Sequence, residues 1–164
     1  MASFKPETAQ PSLPRDLRES TSYLLKRLGY AAKERATVVF EDMTGLGPYH
    51  YAVLLALDED SHDTQGAIAD ALGYDRGQMV GLLDELEERG FVERRRDPSD
   101  RRRQLVSTTA AGAEELKRLR ALSTQLDEEL FAPLSADERA QLHDLLLRLG
   151  EAHLPILGGR KLGT

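Results

Sequence analysis

The stretch from Thr64 to Gly90 is punctuated as two short helices joined by a very short turn. Thr64 is suited to cap a first helix that ends at Gly73, and Asp75 is suited to cap a second helix that ends at Gly90. Glycine at the end of a helix readily takes the left-handed conformation that terminates it. Only Gly73, Tyr74 and Asp75 separate the two segments. This spacing predicts a helix-turn-helix.

A strongly basic segment follows the second helix. Residues 94–103 contain six arginines and two aspartates, although the whole chain has a formal net charge of -6. Residues 90–93 and 104–107 read as two short strands, which makes the arginine run the tip of a β-hairpin. Excess positive charge in one loop of an acidic protein favours an anionic partner; the alternative is that the arginines only keep the loop soluble. The hairpin after the two helices predicts a winged helix-turn-helix that binds nucleic acid.

Further helices are predicted before this unit. Residues 15–43 carry apolar side chains at helical spacing and form one long helix, with Gly29 as the candidate break. Pro48 is placed to open the next helix, which the acidic segment 58–63 ends.

Two leucine-rich helices are predicted after the hairpin. Thr108 is expected to start the first, Pro133 to end it, and Ser135 with Glu138 forms a capping box for the second. The leucines of the terminal helices give more apolar surface than a small winged helix can cover. We therefore expect these helices to pair with those of a second subunit in a homodimer; packing within one chain is the alternative.

The expected fold is mainly α with a small β-hairpin wing, an α+β winged helix-turn-helix with N- and C-terminal dimerisation helices. The expected parts are a flexible or draped arm (1–14), an N-terminal dimerisation helix (15–44), a DNA-binding lobe (45–108) with its recognition helix (75–89) and wing (91–107), and the C-terminal dimerisation helices and tail (109–164).

The recognition helix has two different faces on a helical wheel. One face is apolar and belongs to the core: Met79, Leu82, Leu83 and Leu86. On the opposite face, Asp84 and Glu88 repel phosphate, so only the first two turns are expected to enter a groove. The residues predicted there to contact DNA are Arg76, Gly77, Gln78 and Gly81.

The two glycines on this face cost the helix about 1 kcal/mol each relative to alanine. A bare stripe at Gly77 and Gly81 lets the backbone settle deep in the major groove, and leaves Arg76 and Gln78 to read guanine and adenine edges. Alternatively, the glycines are a tolerated imperfection on a helix held by its core face.

The wing provides the second set of predicted DNA contacts. Arginine is the expected probe of a narrow minor groove, and an aspartate two residues away holds it extended, as Asp100 is placed to do for Arg102. The residues predicted to bind DNA from the wing are Arg95, Arg96, Asp100, Arg101 and Arg102.

Residues 46–119 resemble the MarR family of bacterial transcription regulators. Residues 47–54 (GPYHYAVL) are similar to the family's entry into its second helix, and 80–94 to its recognition helix and first wing strand. Most specific is the passage from 97–102 (DPSDRR) to 106–112 (VSTTAAG). The chain departs from the family pattern at its glycines, because members usually place Ser or Thr early in the recognition helix and often Arg near Gly81.

The resemblance implies a symmetric dimer that binds a pseudo-palindromic operator, with Arg102 in the minor groove and Asp100 as its anchor. Most members repress transcription, and release DNA when a small aromatic acid or similar effector binds between the dimer helices and the DNA-binding lobe. Candidate effector contacts combine a cation for a carboxylate with phenol and imidazole groups for hydroxyls: Tyr23, Arg27, His50 and Tyr51. Packing in the core is the alternative role for the aromatic residues.

Composition and spacing exclude several other functions. The absence of cysteine excludes disulfides, thiolate catalysis and thiol-based peroxide sensing. The sequence lacks metal-ligand spacings, a glycine-rich phosphate loop and a nucleophile elbow, so we expect neither an enzyme nor a cofactor or metal site. The acidic segment 58–63 is expected to be solvated; the alternative is that Asp58, Asp60, His62 and Asp63 hold a cation. No membrane span or signal peptide is expected, which predicts a cytoplasmic, nucleoid-associated protein.

The predicted function is therefore a sequence-specific dimeric transcription regulator that binds double-stranded DNA, most often as a repressor that a small ligand releases. The alternative is a winged helix used for sequence-neutral DNA packaging or for protein-protein contacts, because the fold alone does not fix its use.

Overall fold

The computed structural model describes residues 13–59, 64–100 and 103–157. The arm predicted at the start of the chain and the acidic residues 60–63 fall outside these ranges, apart from the last residues of the arm. Within them, no helix has the length and apolar character needed to cross a membrane. The elements are α1 (Arg15–Glu19), α2 (Thr21–Thr44), α3 (Pro48–Asp58), α4 (Gln65–Leu72), α5 (Arg76–Glu88), β1 (Val92–Arg96), β2 (Gln104–Thr108), α6 (Ala110–Leu130) and α7 (Ala136–His153).

The predicted helix-turn-helix is formed by α4 and α5, with the caps that the sequence indicates. Thr64 Oγ1 accepts a backbone N–H three residues on at 3.2 Å, and Gly73 ends α4 with φ of 67°. Asp75 Oδ1 accepts the N–H of Gln78 at 2.8 Å and so caps α5. These local hydrogen bonds satisfy N–H groups that have no partner within the helix.

The break in the first predicted helix lies at Ser20 and not at Gly29. Ser20 has an extended conformation, and its Oγ accepts the N–H of Tyr23 at 3.3 Å, which starts α2. Gly29 lies inside the continuous helix α2, and a side chain there would meet nothing within 4 Å. A serine cap interrupts a helix more effectively than an interior glycine, which only lowers helix propensity.

The hairpin is longer than predicted. Strands β1 and β2 pair antiparallel from Val92 opposite Thr108 to Arg96 opposite Gln104. The first three arginines of the basic run therefore lie within a strand and not at the tip. The prediction that Thr108 starts the next helix was also wrong: Thr109 caps α6, its Oγ1 accepting a backbone N–H three residues on at 3.1 Å.

The hydrophobic core lies between positions 40 and 119. The first half of α6 and the end of α2 close the lobe that α3, α4, α5 and the hairpin form. Its fully buried large side chains are Leu46, Val53, Leu54, Ile68, Met79, Leu83, Leu86, Val92, Leu116 and Leu119. This lobe presents α5 and the wing as a unit.

Outside this lobe, α2 and α7 expose a row of leucines. Leu28 is 58% exposed and Leu149 is 52% exposed, and both line a groove between the two helices together with Leu24, Leu142 and Leu145. A continuous exposed leucine surface of this kind marks an interaction site. The excess apolar surface that the sequence predicts is therefore present.

Candidate DNA-binding surface and ligand crevice

The recognition helix α5 has the two faces that the wheel predicts. Its apolar side chains, Met79, Leu82, Leu83 and Leu86, are buried in the lobe. On the other side Arg76, Gly77 and Gly81 are exposed and Gln78 is half-buried. The structure therefore brings the four predicted DNA contacts of this helix together at its N-terminal end.

The glycine stripe on α5 is open to solvent at one position and tight at the other. A Cβ atom at Gly81 would meet nothing within 4 Å, whereas one at Gly77 would lie 3.2 Å from Asp75 Oδ1 in the helix cap. Packing within the subunit therefore does not require glycine at position 81.

Arg94 of strand β1 is clamped to the recognition helix. Its backbone N–H donates to Glu87 Oε1 at 3.1 Å and its Nε donates to Glu87 Oε2 at 2.8 Å. Its guanidinium also forms an ion pair with Asp84, and only 16% of the Arg94 side chain is exposed. Arg94 therefore joins the wing to α5 and is not part of a solvated loop tip.

The contact between Arg94 and Glu87 shifts the pKa values of both groups. Hydrogen bonds from Arg94 hold the pKa of Glu87 below its ordinary value. Hydrogen bonding to Glu87 and then to Asp84 raises the pKa of the Arg94 guanidinium. Arg94 thereby pairs with Asp84, one of the acids that the sequence places on the DNA-facing side. The repulsion of phosphate expected from Asp84 is reduced, while Glu88 remains exposed.

The exposed part of β1 carries Arg95 and Arg96. Beyond it, Asp97 is buried in the turn: its Oδ1 accepts the hydroxyl of Ser99 at 2.6 Å and the N–H of Ser99 at 2.8 Å. These hydrogen bonds lower the pKa of Asp97. The Asp100 carbonyl accepts the N–H of Arg103 at 2.9 Å. The described part of the turn is thus held by the Asp97 side chain and by a backbone hydrogen bond.

The predicted minor-groove contacts Arg101 and Arg102 lie outside the described residues. Their entry into a groove, and the anchoring of Arg102 by Asp100, stay predictions.

His50 is buried and links α3 to the recognition helix. Its Nδ1 accepts the N–H of Gly47 at 3.0 Å, which leaves Nε2 as the protonated nitrogen that donates to Glu85 Oε2 at 2.9 Å. With both ring nitrogens engaged inside the lobe, His50 is a positioning residue for α5.

Two arginines hold the C-terminal end of α2. Arg89, at the end of α5, donates to the carbonyl oxygens of Thr44 at 3.4 Å and Gly45 at 2.8 Å. Arg118 of α6 donates to the carbonyl oxygen of Met43 at 3.2 Å. Cations are favourable at this end of a helix dipole. The end of α2 is thereby tied directly to the recognition helix.

A crevice of 590 Å³ lies between α2, α3 and α6. Tyr51 lines it and meets Phe40 edge to face, with ring centroids 5.5 Å apart. Arg35 and Glu129 also line the crevice and form an ion pair of 3.3 Å between α2 and α6. Its other lining residues include Ala31, Ala32, Lys33, Ala36, Leu126 and Leu130. The crevice is therefore mainly apolar, with charged groups among its lining.

Of the four predicted effector contacts, the structure brings only Tyr51 to this crevice. Tyr23 and Arg27 lie in the N-terminal half of α2, outside the lining, and His50 is held by Gly47 and Glu85.

Sequence reasoning missed Lys33 and Arg35 as lining residues of the crevice. The small residues Ala32 and Ala36 lie four positions apart and in line with Phe40 on one face of α2. Small side chains in line with an aromatic ring indicate the wall of a cavity. Lys33 and Arg35 lie between and beside these residues in the sequence, so the same signal places them near the cavity.

Comparison with known proteins agrees with this architecture. The MarR family profile matches residues 42–103. A putative transcriptional regulatory protein for the hcr operon of Thauera aromatica is 32% identical over 125 residues, which is 76% of this chain and 75% of that protein.

Two solved structures share both fold and sequence with this chain. The transcriptional repressor CouR bound to a 23-mer DNA duplex has a TM-score of 0.76 and 33% identity, over 85% of this chain and 99% of that chain. CouR from Rhodococcus jostii RHA1 bound to p-coumaroyl-CoA has a TM-score of 0.69 and 31% identity, over 83% of this chain and 95% of that chain. With its helix-turn-helix, its wing and these relatives, the chain belongs to the MarR family of transcription regulators.

Proposed function

We propose that this regulator binds operator DNA as a homodimer and represses transcription until a small ligand releases it. One observation carries the proposal: a single lobe presents both the exposed start of α5 and the exposed arginines of β1, and Arg94 pairs the acidic groups Asp84 and Glu87. The likeness to CouR bound to a DNA duplex supports the same use of this surface.

In this proposal the two basic elements take adjoining grooves. The start of α5 enters the major groove, where Gln78 reads base edges and the glycines permit close approach. The wing reaches the backbone and the minor groove. Its contacts are Arg95, Arg96, Arg101 and Arg102, with Asp100 as the anchor. A protein acting in this way is cytoplasmic and associated with the nucleoid.

The proposed division of labour assigns dimerisation to residues 15–44 and 109–164, and DNA binding to residues 45–108. Exposed leucines on α2 and α7 support it, because each is about half exposed and its burial against a partner stabilises a dimer by about 1 kcal/mol. A symmetric dimer presents two recognition helices to a pseudo-palindromic site.

The proposed effector site is the crevice between α2, α3 and α6. Its apolar lining and the Tyr51 ring suit an aromatic group. Lys33 is the proposed contact for a carboxylate or another anionic group, because the other cation of the described lining, Arg35, is paired with Glu129. The Lys33 Nζ rests 5.3 Å from the centroid of the Tyr49 ring and would turn away from that ring to meet the ligand. The solved complex of CouR with p-coumaroyl-CoA supports an organic acid derivative as the ligand class.

The test of the proposed function is duplex binding at physiological salt. The protein's own upstream region and a scrambled duplex of equal length are compared by fluorescence anisotropy. A regulator binds the upstream region at least about a thousandfold more tightly. Equal affinity for the two duplexes supports sequence-neutral packaging, and would contradict the proposal.

A further inference from the structure

A polar cavity of 370 Å³ lies where α4, α5 and β2 begin. A β-bridge between Thr64 and Leu105 joins the cap of α4 to strand β2, and Arg76 brings the start of α5 to the same cavity. Its lining residues are Thr64, Gln65, Gly66, Arg76, Arg103 and Gln104. Among the described residues, this lining contains no carboxylate and has two guanidinium groups, one at the start of α5 (Arg76) and one on the residue before β2 (Arg103).

Neighbouring acids hold these two arginines only weakly. Arg76 Nη2 lies 3.4 Å from Asp70 Oδ1, and Arg103 Nη1 lies 3.8 Å from Asp97 Oδ2. The arginine side chains are 70% and 54% exposed, and ion pairs of this length at a surface contribute little. Since a guanidinium has five N–H donors, most of them remain able to bind another acceptor.

The position of the cavity identifies the acceptor. It lies between the start of the recognition helix and the wing, the two elements proposed to enter neighbouring grooves. The sugar-phosphate backbone that separates those grooves must pass between the same two elements. Arginine forks match the geometry of phosphate oxygens, and two like charges at one cavity are relieved by an anion between them.

We propose that this cavity binds one phosphate of the DNA backbone, held between Arg76 and Arg103 with the Gln65 and Gln104 amides as further donors. The inference rests on the proposed DNA-binding function and deepens it. It assigns Arg76 to a phosphate in place of a guanine edge, and it adds Arg103 to the DNA contacts.

The test measures duplex affinity for Arg76→Gln, Arg103→Gln and the double variant. Lys117→Gln is the charge-matched control, because Lys117 lies on α6 in an exposed pair with Glu114. Each single variant weakens binding to upstream and scrambled duplexes alike by about tenfold, because phosphate contacts carry no sequence information. The double variant loses little more than either single variant, since both arginines hold one phosphate.

Salt dependence gives a second readout. Loss of one phosphate contact in each subunit lowers the log-log slope of affinity against salt by about 0.9 per subunit, or about 1.8 for the proposed dimer, in either single variant. The double variant shows the same reduction and no more. Gly66→Ala is a milder probe. A Cβ there would lie 2.8 Å from Arg76 Nη1, so the substitution displaces the flexible guanidinium tip and weakens both duplexes less than Arg76→Gln does.

Three results would overturn the inference. Additive losses in the double variant would show two separate contacts, and losses confined to the upstream duplex would show base reading. Duplex affinities within twofold of the Lys117→Gln control would show that the cavity holds no phosphate. In each case wild-type binding to the upstream duplex leaves the proposed function standing, whereas its absence overturns both.

Free phosphate is distinguished from DNA phosphate by competition. Inorganic phosphate at millimolar concentration, with ionic strength held constant by chloride, leaves duplex binding unchanged if the cavity is built for the DNA backbone. Displacement of the duplex by inorganic phosphate that is lost in Arg103→Gln would identify a free anion as the occupant, and would overturn the assignment.

Discussion

Arg94 in the first wing strand and Glu87 in the final turn of the recognition helix contact each other at three points, through the Arg94 backbone N–H, its Nε and its Nη2. One side chain thereby fixes the angle between the two elements proposed to bind DNA. Because the Arg94 guanidinium also meets Asp84, the same contact reduces the negative charge that faces a DNA strand.

We predict that Arg94→Ala lowers the free energy of unfolding by about 1 kcal/mol, because it removes the guanidinium that donates to two partly exposed carboxylates and leaves Glu87 only the backbone N–H of residue 94. It also weakens binding to every duplex, since Asp84 and Glu87 then repel phosphate. Urea denaturation and anisotropy measure the two effects. Arg95→Ala, on the exposed side of the same strand, is the control and leaves stability within about 0.5 kcal/mol. Equal stability of the two variants would contradict the clamp.

Acid sensitivity follows from the lowered pKa of Glu87. A carboxyl whose pKa is lower in the folded state than its ordinary value of 4.5 stabilises the protein above that value, and the contribution is lost as pH falls through the folded pKa. Glu87→Gln should therefore flatten the fall of the urea midpoint below pH 4.5. The exposed Glu88→Gln is the matched control. A fall as steep in Glu87→Gln as in the control would refute this linkage.

Gly112→Ala is predicted to be strongly destabilising, by about 3 kcal/mol, because a Cβ at position 112 would lie 2.0 Å from the Phe91 carbonyl oxygen. The close contact joins α6 to the residue that precedes β1, so repacking requires movement of backbone. Thermal unfolding followed by circular dichroism measures the effect. An unchanged melting temperature would show that α6 does not approach the hairpin this closely.

Gly81→Ala is predicted to act in the opposite direction. It should stabilise the protein by about 1 kcal/mol, since the site is open and alanine favours a helix. If the bare stripe allows close approach to the major groove, the same variant binds the upstream duplex more weakly. Increased stability with unchanged affinity would show that the glycine is only a tolerated imperfection.

The wing and the recognition helix are predicted to contribute differently to specificity. Arg102→Ala should weaken binding to upstream and scrambled duplexes alike and lower the salt slope, whereas Gln78→Ala should mainly reduce the preference for the upstream duplex. Anisotropy titrations at several salt concentrations separate the two effects. An equal loss of preference from both substitutions would contradict the division of labour.

The sequence predicts this fold well where the signals are local. Thr64 and Asp75 cap the helices of the helix-turn-helix within three residues of themselves, and Gly73 ends the first of them, so no distant contact is needed to identify them. The break at Ser20 was missed because a serine cap inside an apolar repeat is a weak local signal beside a glycine.

The site was less predictable because its decisive contacts join residues far apart in sequence. Histidine is a residue type that often contacts ligands, but His50 contacts Glu85, which lies 35 positions away in the sequence. Arg94 is one of six arginines in its segment, and only the packing of β1 against α5 separates it from its neighbours. Helical and strand periodicity give the face of each residue but not the partner that the face meets.

The exposed leucines of α2 and α7 make the stability of each folded subunit depend on the concentration of the protein. If a second subunit buries these leucines in a dimer, dilution dissociates the dimer and exposes them to water. The melting temperature should therefore rise with protein concentration. At a low cellular concentration, fewer subunits are then dimeric, and the remaining monomers unfold more easily.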